Sequence, residues 1–104
     1  MDASIQNKEM LLHRLLSRKE KIRSFGVSRL GIFGSFVSGT SIRSDSDVDF
    51  FVEFEKDKKT FDNFMDLSFY LEELLGRRVE LITPQSLNKY IGPKILKQVE
   101  NVFS

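Results

Sequence analysis

The sequence contains no cysteine and a single histidine, His13, and both scarcities limit the chemistry open to the protein. Without cysteine there are no disulfide bonds, no thiolate ligands for zinc and no thiol nucleophile. One histidine cannot form the clusters of imidazoles that hold zinc in many enzymes. Any metal ion that this chain binds must therefore be held by oxygen atoms.

Long apolar runs and a strong charge of one sign are also missing. No apolar segment approaches the roughly 20 residues of a membrane-spanning helix, and Met1–Ser4 does not begin a secretion signal. The 16 Lys and Arg residues are balanced by 15 Asp and Glu residues, so bulk charge gives no reason to expect direct nucleic-acid binding. We expect a cytoplasmic protein without a membrane association.

The 104 residues suit one domain, and we expect residues 1–104 to form it. The hydrophobic pattern predicts a helix over Ser4–Ser24, strands over Val27–Phe33, Asp47–Phe54 and Arg78–Ile82, a helix over Phe61–Leu75 and a last helix from Gly92 to about Val99. Thr60 and Gly76 have the residue types that cap a helix at its two ends. The predicted fold is α/β (α+β), with a mixed sheet of three to four strands packed against helices.

Asp47 and Asp49 are two residues apart at the start of an alternating strand, so their side chains project from one face. Two carboxylates about 4 Å apart repel by roughly 1 kcal/mol in water and by about 4 kcal/mol at an effective dielectric constant of 20. A hard divalent cation such as Mg²⁺ turns that repulsion into favourable coordination. By itself, the pair is more typical of solvated charges at the start of a strand.

Gly34 and Ser35 directly follow the strand Val27–Phe33. Glycine lets the backbone come close to a phosphate, while the Ser35 hydroxyl and neighbouring amides can donate to phosphate oxygens. Taken alone, the pair is also what an ordinary turn contains.

Glu80 adds a third carboxylate in a later strand. If that strand lies beside the strand of Asp47 and Asp49, the three carboxylates share one face. A structural ion pair between Glu80 and Arg77 or Arg78 is an equally good interpretation of this residue alone.

The order of these motifs, G-S, then D-x-D, then a strand carboxylate, resembles the minimal nucleotidyltransferase (MNT) family of the DNA polymerase beta superfamily. The resemblance runs from about Leu30 to Thr83 and rests on GSFVSGTSIRSDSDVDFFVEF and VELIT. It implies a small nucleotidyltransferase domain over residues 1–104.

The same resemblance implies roles for individual residues. Gly34 and Ser35 would bind the β- and γ-phosphates of ATP, and Asp47 and Asp49 would ligate two Mg²⁺ ions. Glu80 would complete the catalytic and metal-binding set by helping to hold the ion that activates the attacking hydroxyl.

Two positions depart from the family pattern. Ser38 stands where the family often has an arginine of a G-S-x-x-R-G helix, and we expect the loss of this cation to weaken phosphate binding. Glu80 stands where aspartate is commoner and lengthens the arm by one methylene. Arg43 is a candidate replacement for the missing cation, and a solvated surface arginine is an equally good interpretation.

Small members of this family are similar to antitoxins encoded beside HEPN ribonuclease toxins, some of which transfer AMP from ATP to a toxin tyrosine. The resemblance therefore implies a Mg²⁺-dependent nucleotidyltransferase with a HEPN-type toxin as its protein partner. Because larger relatives carry a further domain for small acceptors, the short chain favours a macromolecular acceptor. Two alternatives stay open. One is transfer to a small molecule or an RNA end, and the other is a noncatalytic antitoxin that acts by contact alone. The second is favoured only by Ser38 in place of the family arginine.

Overall fold

The computed structural model describes residues 5–38, 46–90 and 92–104. Over these residues the elements are α1 (Lys8–Ser17), α2 (Lys19–Arg23), β1 (Val27–Phe33), α3 (Ser35–Ser38), β2 (Val48–Phe54), α4 (Phe61–Leu75), β3 (Val79–Ile82), a 3₁₀ turn (Pro84–Ser86), α5 (Gly92–Gln98) and β4 (Glu100–Phe103). This arrangement is the small α+β domain that the sequence predicted, with its sheet at the upper end of the expected three to four strands.

The strands form one mixed sheet in the order β3-β2-β1-β4. β1 runs antiparallel to both of its neighbours, whereas β2 and β3 are parallel. Because parallel strands begin at the same edge of a sheet, the starts of β2 and β3 lie side by side. The register of this pair places Asp49 opposite Glu80.

One face of the sheet is buried by the helices. β1 and β2 contribute alternate residues to this face, because strand side chains alternate between the two faces. Leu30, Ile32, Phe50 and Val52 are fully buried there, in one cluster with apolar residues of α1, α2 and α4. The opposite face carries Asp49, so the residues that could do chemistry lie on the side of the sheet away from these helices.

Helix α4 begins and ends at the residues predicted to cap it. The Thr60 side chain accepts a hydrogen bond from the Asn63 amide at 3.1 Å, and Gly76 ends the helix with φ of +69°. Phe61 is the exception to the predicted apolar face, since 77% of it is exposed. Among the helices of the described residues, α4 included, none combines the length and apolar character needed to cross a bilayer.

The predicted first helix is wrong in its extent. Its predicted start at Ser4 lies outside the described residues, α1 begins at Lys8, and Arg18 separates α1 from α2 with φ of −118° and ψ of 20°. The Ser17 hydroxyl donates to the Arg14 carbonyl at 2.7 Å, which offers the backbone an alternative to the helical ladder. Periodicity of apolar residues continues across such a break, so the sequence pattern alone does not show it.

Strand β4 was not predicted, because its four residues follow α5 after a single residue and are too few for a clear alternation. It forms by pairing with β1, with Leu30 opposite Phe103 and Ile32 opposite Glu100. The other strands differ from the prediction by at most one residue at their starts.

Candidate active site

A glycine turn between β1 and α3 forms one side of the candidate site. Gly34 has φ of +79°, and its carbonyl accepts hydrogen bonds from the amides of Val37 and Ser38. A β-carbon at this position would overlap the Asp49 carboxylate. Glycine is therefore required at position 34 for two reasons: its positive φ and the close approach of the turn to Asp49.

The carboxylates of Asp49 and Glu80 form the other side. The two residues are register partners on β2 and β3, and their carboxyl groups are hydrogen bonded to each other. Burial raises the pKa of Asp49 to about 6, with further contributions from the charge of Glu80, its hydrogen bond and the charge of Asp47. The predicted adjacency of Glu80 to the D-x-D strand is confirmed.

Asp47 lies one residue before β2, at the surface. Its Oδ1 is 3.3 Å from Nε of Arg78, and the side chains are 45% and 79% exposed. Ion pairs this exposed contribute at most about 1 kcal/mol, so Asp47 can exchange Arg78 for another partner at little cost. Arg78 therefore pairs with Asp47, and not with Glu80 as the alternative interpretation held.

The donor chemistry of the three carboxylates fits a hard divalent cation. The carboxyl groups of Asp49 and Glu80 present clustered oxygen atoms, and a bound cation would lower the raised pKa of the half-buried Asp49. As the side chains stand, the described residues hold no group of three or more His, Cys, Asp or Glu side chains gathered around one point. A metal ion held by all three would require Asp47 to turn away from Arg78.

Ser38 and Arg43 are the two residues connected with the missing family arginine. Ser38 is exposed at the end of α3, and its hydroxyl donates to the Ser35 carbonyl at 3.2 Å, a contact within its own helix. Arg43, the candidate replacement for the family arginine, lies outside the described residues.

Arg77 is the residue near the site that the sequence did not single out. It was considered only as an ion-pair partner of Glu80, yet it is 7% exposed and donates to the carbonyls of Ile5 and Ser46. Its position directly after Gly76, the residue that ends α4, is the one signal in the sequence that sets it apart from Arg78.

Comparison with known proteins gives a consistent result. Residues 13–102 match the Nucleotidyltransferase domain family. The protein adenylyltransferase MntA of Thermococcus cleftensis is 42% identical over 86 residues, which cover 82% of this chain and 85% of MntA. A solved structure described as a minimal nucleotidyltransferase superposes with a TM-score of 0.80 at 30% identity, covering 94% of this chain and 98% of that one.

A more distant solved structure shares the fold. A chain of the complex between the tri-AMPylated HEPN toxin of Shewanella oneidensis and its MNT antitoxin superposes with a TM-score of 0.65 at 14% identity. The superposition covers 93% of the present chain and 72% of the other chain.

Proposed function

The chain belongs to the nucleotidyltransferase family, and we propose that it is a protein adenylyltransferase that moves AMP from ATP to a tyrosine hydroxyl of a HEPN-type toxin. The observation that carries the proposal is the contact between the Asp49 and Glu80 carboxyl groups beside the Gly34 turn. The similarity to MntA supports AMP transfer to a protein, and the shared fold of the HEPN and MNT complex supports the partner class. Because the proposed reaction uses ATP, we propose that it takes place in the cytoplasm.

The proposed reaction joins the acceptor oxygen to the α-phosphorus of ATP and releases pyrophosphate. Gly34 and Ser35 would bind the β- and γ-phosphates, because the glycine turn brings its backbone to the side of the carboxylates. Asp47, Asp49 and Glu80 would hold two Mg²⁺ ions, which when bound neutralise triphosphate charge and activate the hydroxyl. The protein's own contribution is to keep the phosphates and the acceptor oxygen in line.

The parallel pairing of β2 and β3 fixes Asp49 and Glu80 on rigid elements, whereas Asp47 stands just before the strand and stays exposed. This difference suits two roles. Asp49 and Glu80 would already be in place in the free protein, and Asp47 would join them as a metal ligand when the nucleotide binds. The exposed side also leaves room for a macromolecular acceptor to approach.

The double variant Asp47→Asn and Asp49→Asn tests the site. We expect it to lower AMP transfer by at least about a hundredfold, since it removes two oxygen charges that would hold the metal ions. Transfer is measured with labelled ATP, Mg²⁺ and a co-expressed HEPN partner. The matched control is the variant Asp62→Asn with Asp66→Asn, which changes two exposed carboxylates of α4 and should transfer normally. Full activity of the first variant would contradict the site assignment.

The acceptor is tested in the same assay by intact-mass measurement of the partner. A mass increase of one or more AMP units that disappears when the acceptor tyrosine is changed to phenylalanine supports the proposal. If the label enters RNA or a small molecule instead, the acceptor is not a protein, and the alternative function of transfer to that acceptor is supported. Tight binding of the partner without any label, in the presence of ATP and Mg²⁺, would indicate neutralisation by contact alone.

A further inference from the structure

The buried guanidinium of Arg77 contacts two segments that the proposed reaction needs to hold together. Its Nη1 donates to the Ser46 carbonyl at 3.0 Å, one residue before Asp47. Its Cζ lies 5.1 Å from the centre of the ring of Phe36, which is the residue directly after Ser35. The phosphate side and the carboxylate side of the candidate site are thus in contact with one side chain.

A third contact anchors Arg77 itself. Nε donates to the carbonyl of Ile5 at 2.6 Å, and the Ile5 amide in turn donates to Leu75 at the end of α4. The backbone of the following residue, Arg78, accepts a hydrogen bond from the Val48 amide at the start of β2. Arg77 is therefore held by its side chain, and the backbone of the residue after it is hydrogen bonded to the start of β2, so the guanidinium plane has a defined position.

From these contacts we propose that Arg77 is a positioning residue, which sets the distance between the Gly34 turn with α3 and the start of β2. The proposal rests on the proposed function, because the distance matters only if phosphates and carboxylates act on one nucleotide. The planar fork of arginine can donate to carbonyls at its edge while its face lies on an aromatic ring, and the lysine ammonium group cannot do both. A misplacement of about 1 Å costs up to about a hundredfold in rates of this kind.

The variant Arg77→Lys tests the inference, because it keeps the charge and most of the stem. We expect the Kd of a non-hydrolysable ATP analogue with Mg²⁺, measured by calorimetry, to rise by about tenfold, and the KM for ATP to rise with it. Both values are corrected for the folded fraction, obtained from urea unfolding of the same protein.

Arg14→Lys is the matched control. Arg14 also donates from Nη1 to a backbone carbonyl, that of Leu74 at 3.1 Å, but it joins α1 to α4 on the other side of the sheet from the carboxylates. We expect this variant to lose stability and to keep the nucleotide Kd within about twofold of the unchanged protein.

If Arg77→Lys does not fold, Phe36→Leu decides the question, since it removes the ring beneath the guanidinium and keeps an apolar side chain of similar size. A raised Kd in this variant supports the inference. An unchanged Kd in the folded fraction of either variant, or an equal rise in Arg14→Lys, would overturn it. If the unchanged protein does not bind the ATP analogue, the proposed function is wrong as well. If the unchanged protein binds it and Arg77→Lys binds it with the same Kd, only the inference about Arg77 is wrong.

Discussion

Asp49 and Glu80 meet across two neighbouring strands at a cost in folding free energy. Burial disfavours ionisation of Asp49, and the negative charge of Glu80 adds to the effect. Natural proteins keep such unfavourable contacts mainly where function needs them. At the residue scale, this contact is the strongest indication that the face of the sheet away from the helices is a site.

The variant Asp49→Asn should therefore be more stable than the unchanged protein without metal ions at pH 7. The pKa of Asp49 is about 6 in the folded state against an ordinary 3.8, so the folded state binds more protons between these values. The contribution of the Asp49 carboxyl group to the free energy of unfolding is therefore fully present below about pH 4 and is lost as the pH rises through 6. We expect a gain of about 1 kcal/mol at pH 7, after discounting for solvent screening of a half-buried group.

The measurement is urea unfolding of both proteins in EDTA between pH 4.5 and 7. The difference in unfolding free energy should shrink towards the acid end of the series, because there the carboxyl group is protonated in the folded state. A difference that does not change with pH would show that neither burial nor the charge of Glu80 disfavours ionisation of Asp49 in the folded state.

Gly34→Ala is expected to remove nucleotide binding and about 1–3 kcal/mol of stability, because its methyl group meets Asp49 at a positive φ. Gly76→Ala is the matched control, since it has the same kind of backbone strain, at φ of +69°, at the end of α4. Both variants should lose stability in urea unfolding, and only the first should lose binding of the ATP analogue. Equal binding by the two would argue against a phosphate subsite at Gly34.

At the scale of elements, β4 shows how a short segment gains its structure from distant residues. Phe103 is 5% exposed in the core, and the cationic groups of Lys19 and Arg23 lie 5.7 and 5.3 Å from the centre of its ring. Lys8 pairs with Glu100 at 2.5 Å, so α1 and β4 are joined across nearly the full length of the chain. Four residues with these partners form a strand, although their local pattern predicts none.

The variant Phe103→Ala should lower the free energy of unfolding by about 3–5 kcal/mol, the range for removal of a buried aromatic side chain. Leu96→Ala is the control: it lies on the neighbouring α5, is 49% exposed and should change stability by less than about 0.5 kcal/mol. Urea unfolding measures both. A small loss for Phe103→Ala would mean that β4 contributes little to the core.

At the scale of the whole molecule, the core joins residues from both ends of the chain. Ile5 and Phe103 belong to the same buried cluster as the sheet residues between them, and the radius of gyration is 13.0 Å. A folded domain of about 100 residues has a radius of gyration of about 13 Å. We infer that residues 5–38, 46–90 and 92–104 unfold as one unit.

Thermal unfolding should therefore give one transition, with the same midpoint by far-UV circular dichroism and by tyrosine fluorescence. Mg²⁺ with the ATP analogue should raise this midpoint, since a ligand at one hundred times its Kd stabilises the folded state by about 2.7 kcal/mol. The Asp47→Asn and Asp49→Asn double variant should show no such rise. Two separated transitions would contradict a shared core, and an equal rise in the variant would place the nucleotide elsewhere.

Interactions within a few residues could be predicted from the sequence, because they depend on local geometry. The alternation of β2 determines that Asp49 and Phe50 face opposite sides, and the caps Thr60 and Gly76 determine where α4 begins and ends. The motif order alone indicated the nucleotidyltransferase family, and the family match over residues 13–102 bears it out.

The tertiary structure decided what depends on strand order and on long side chains reaching across the chain. Only the parallel pairing of β2 with β3 places Glu80 against Asp49, which are 31 positions apart by number. Likewise, two adjacent arginines look alike in sequence, yet Arg77 is buried against the ring of Phe36 and Arg78 pairs with Asp47 at the surface. The physical reason is that partners distant in sequence meet only after the core has fixed the positions of their backbones, and no local pattern encodes that meeting.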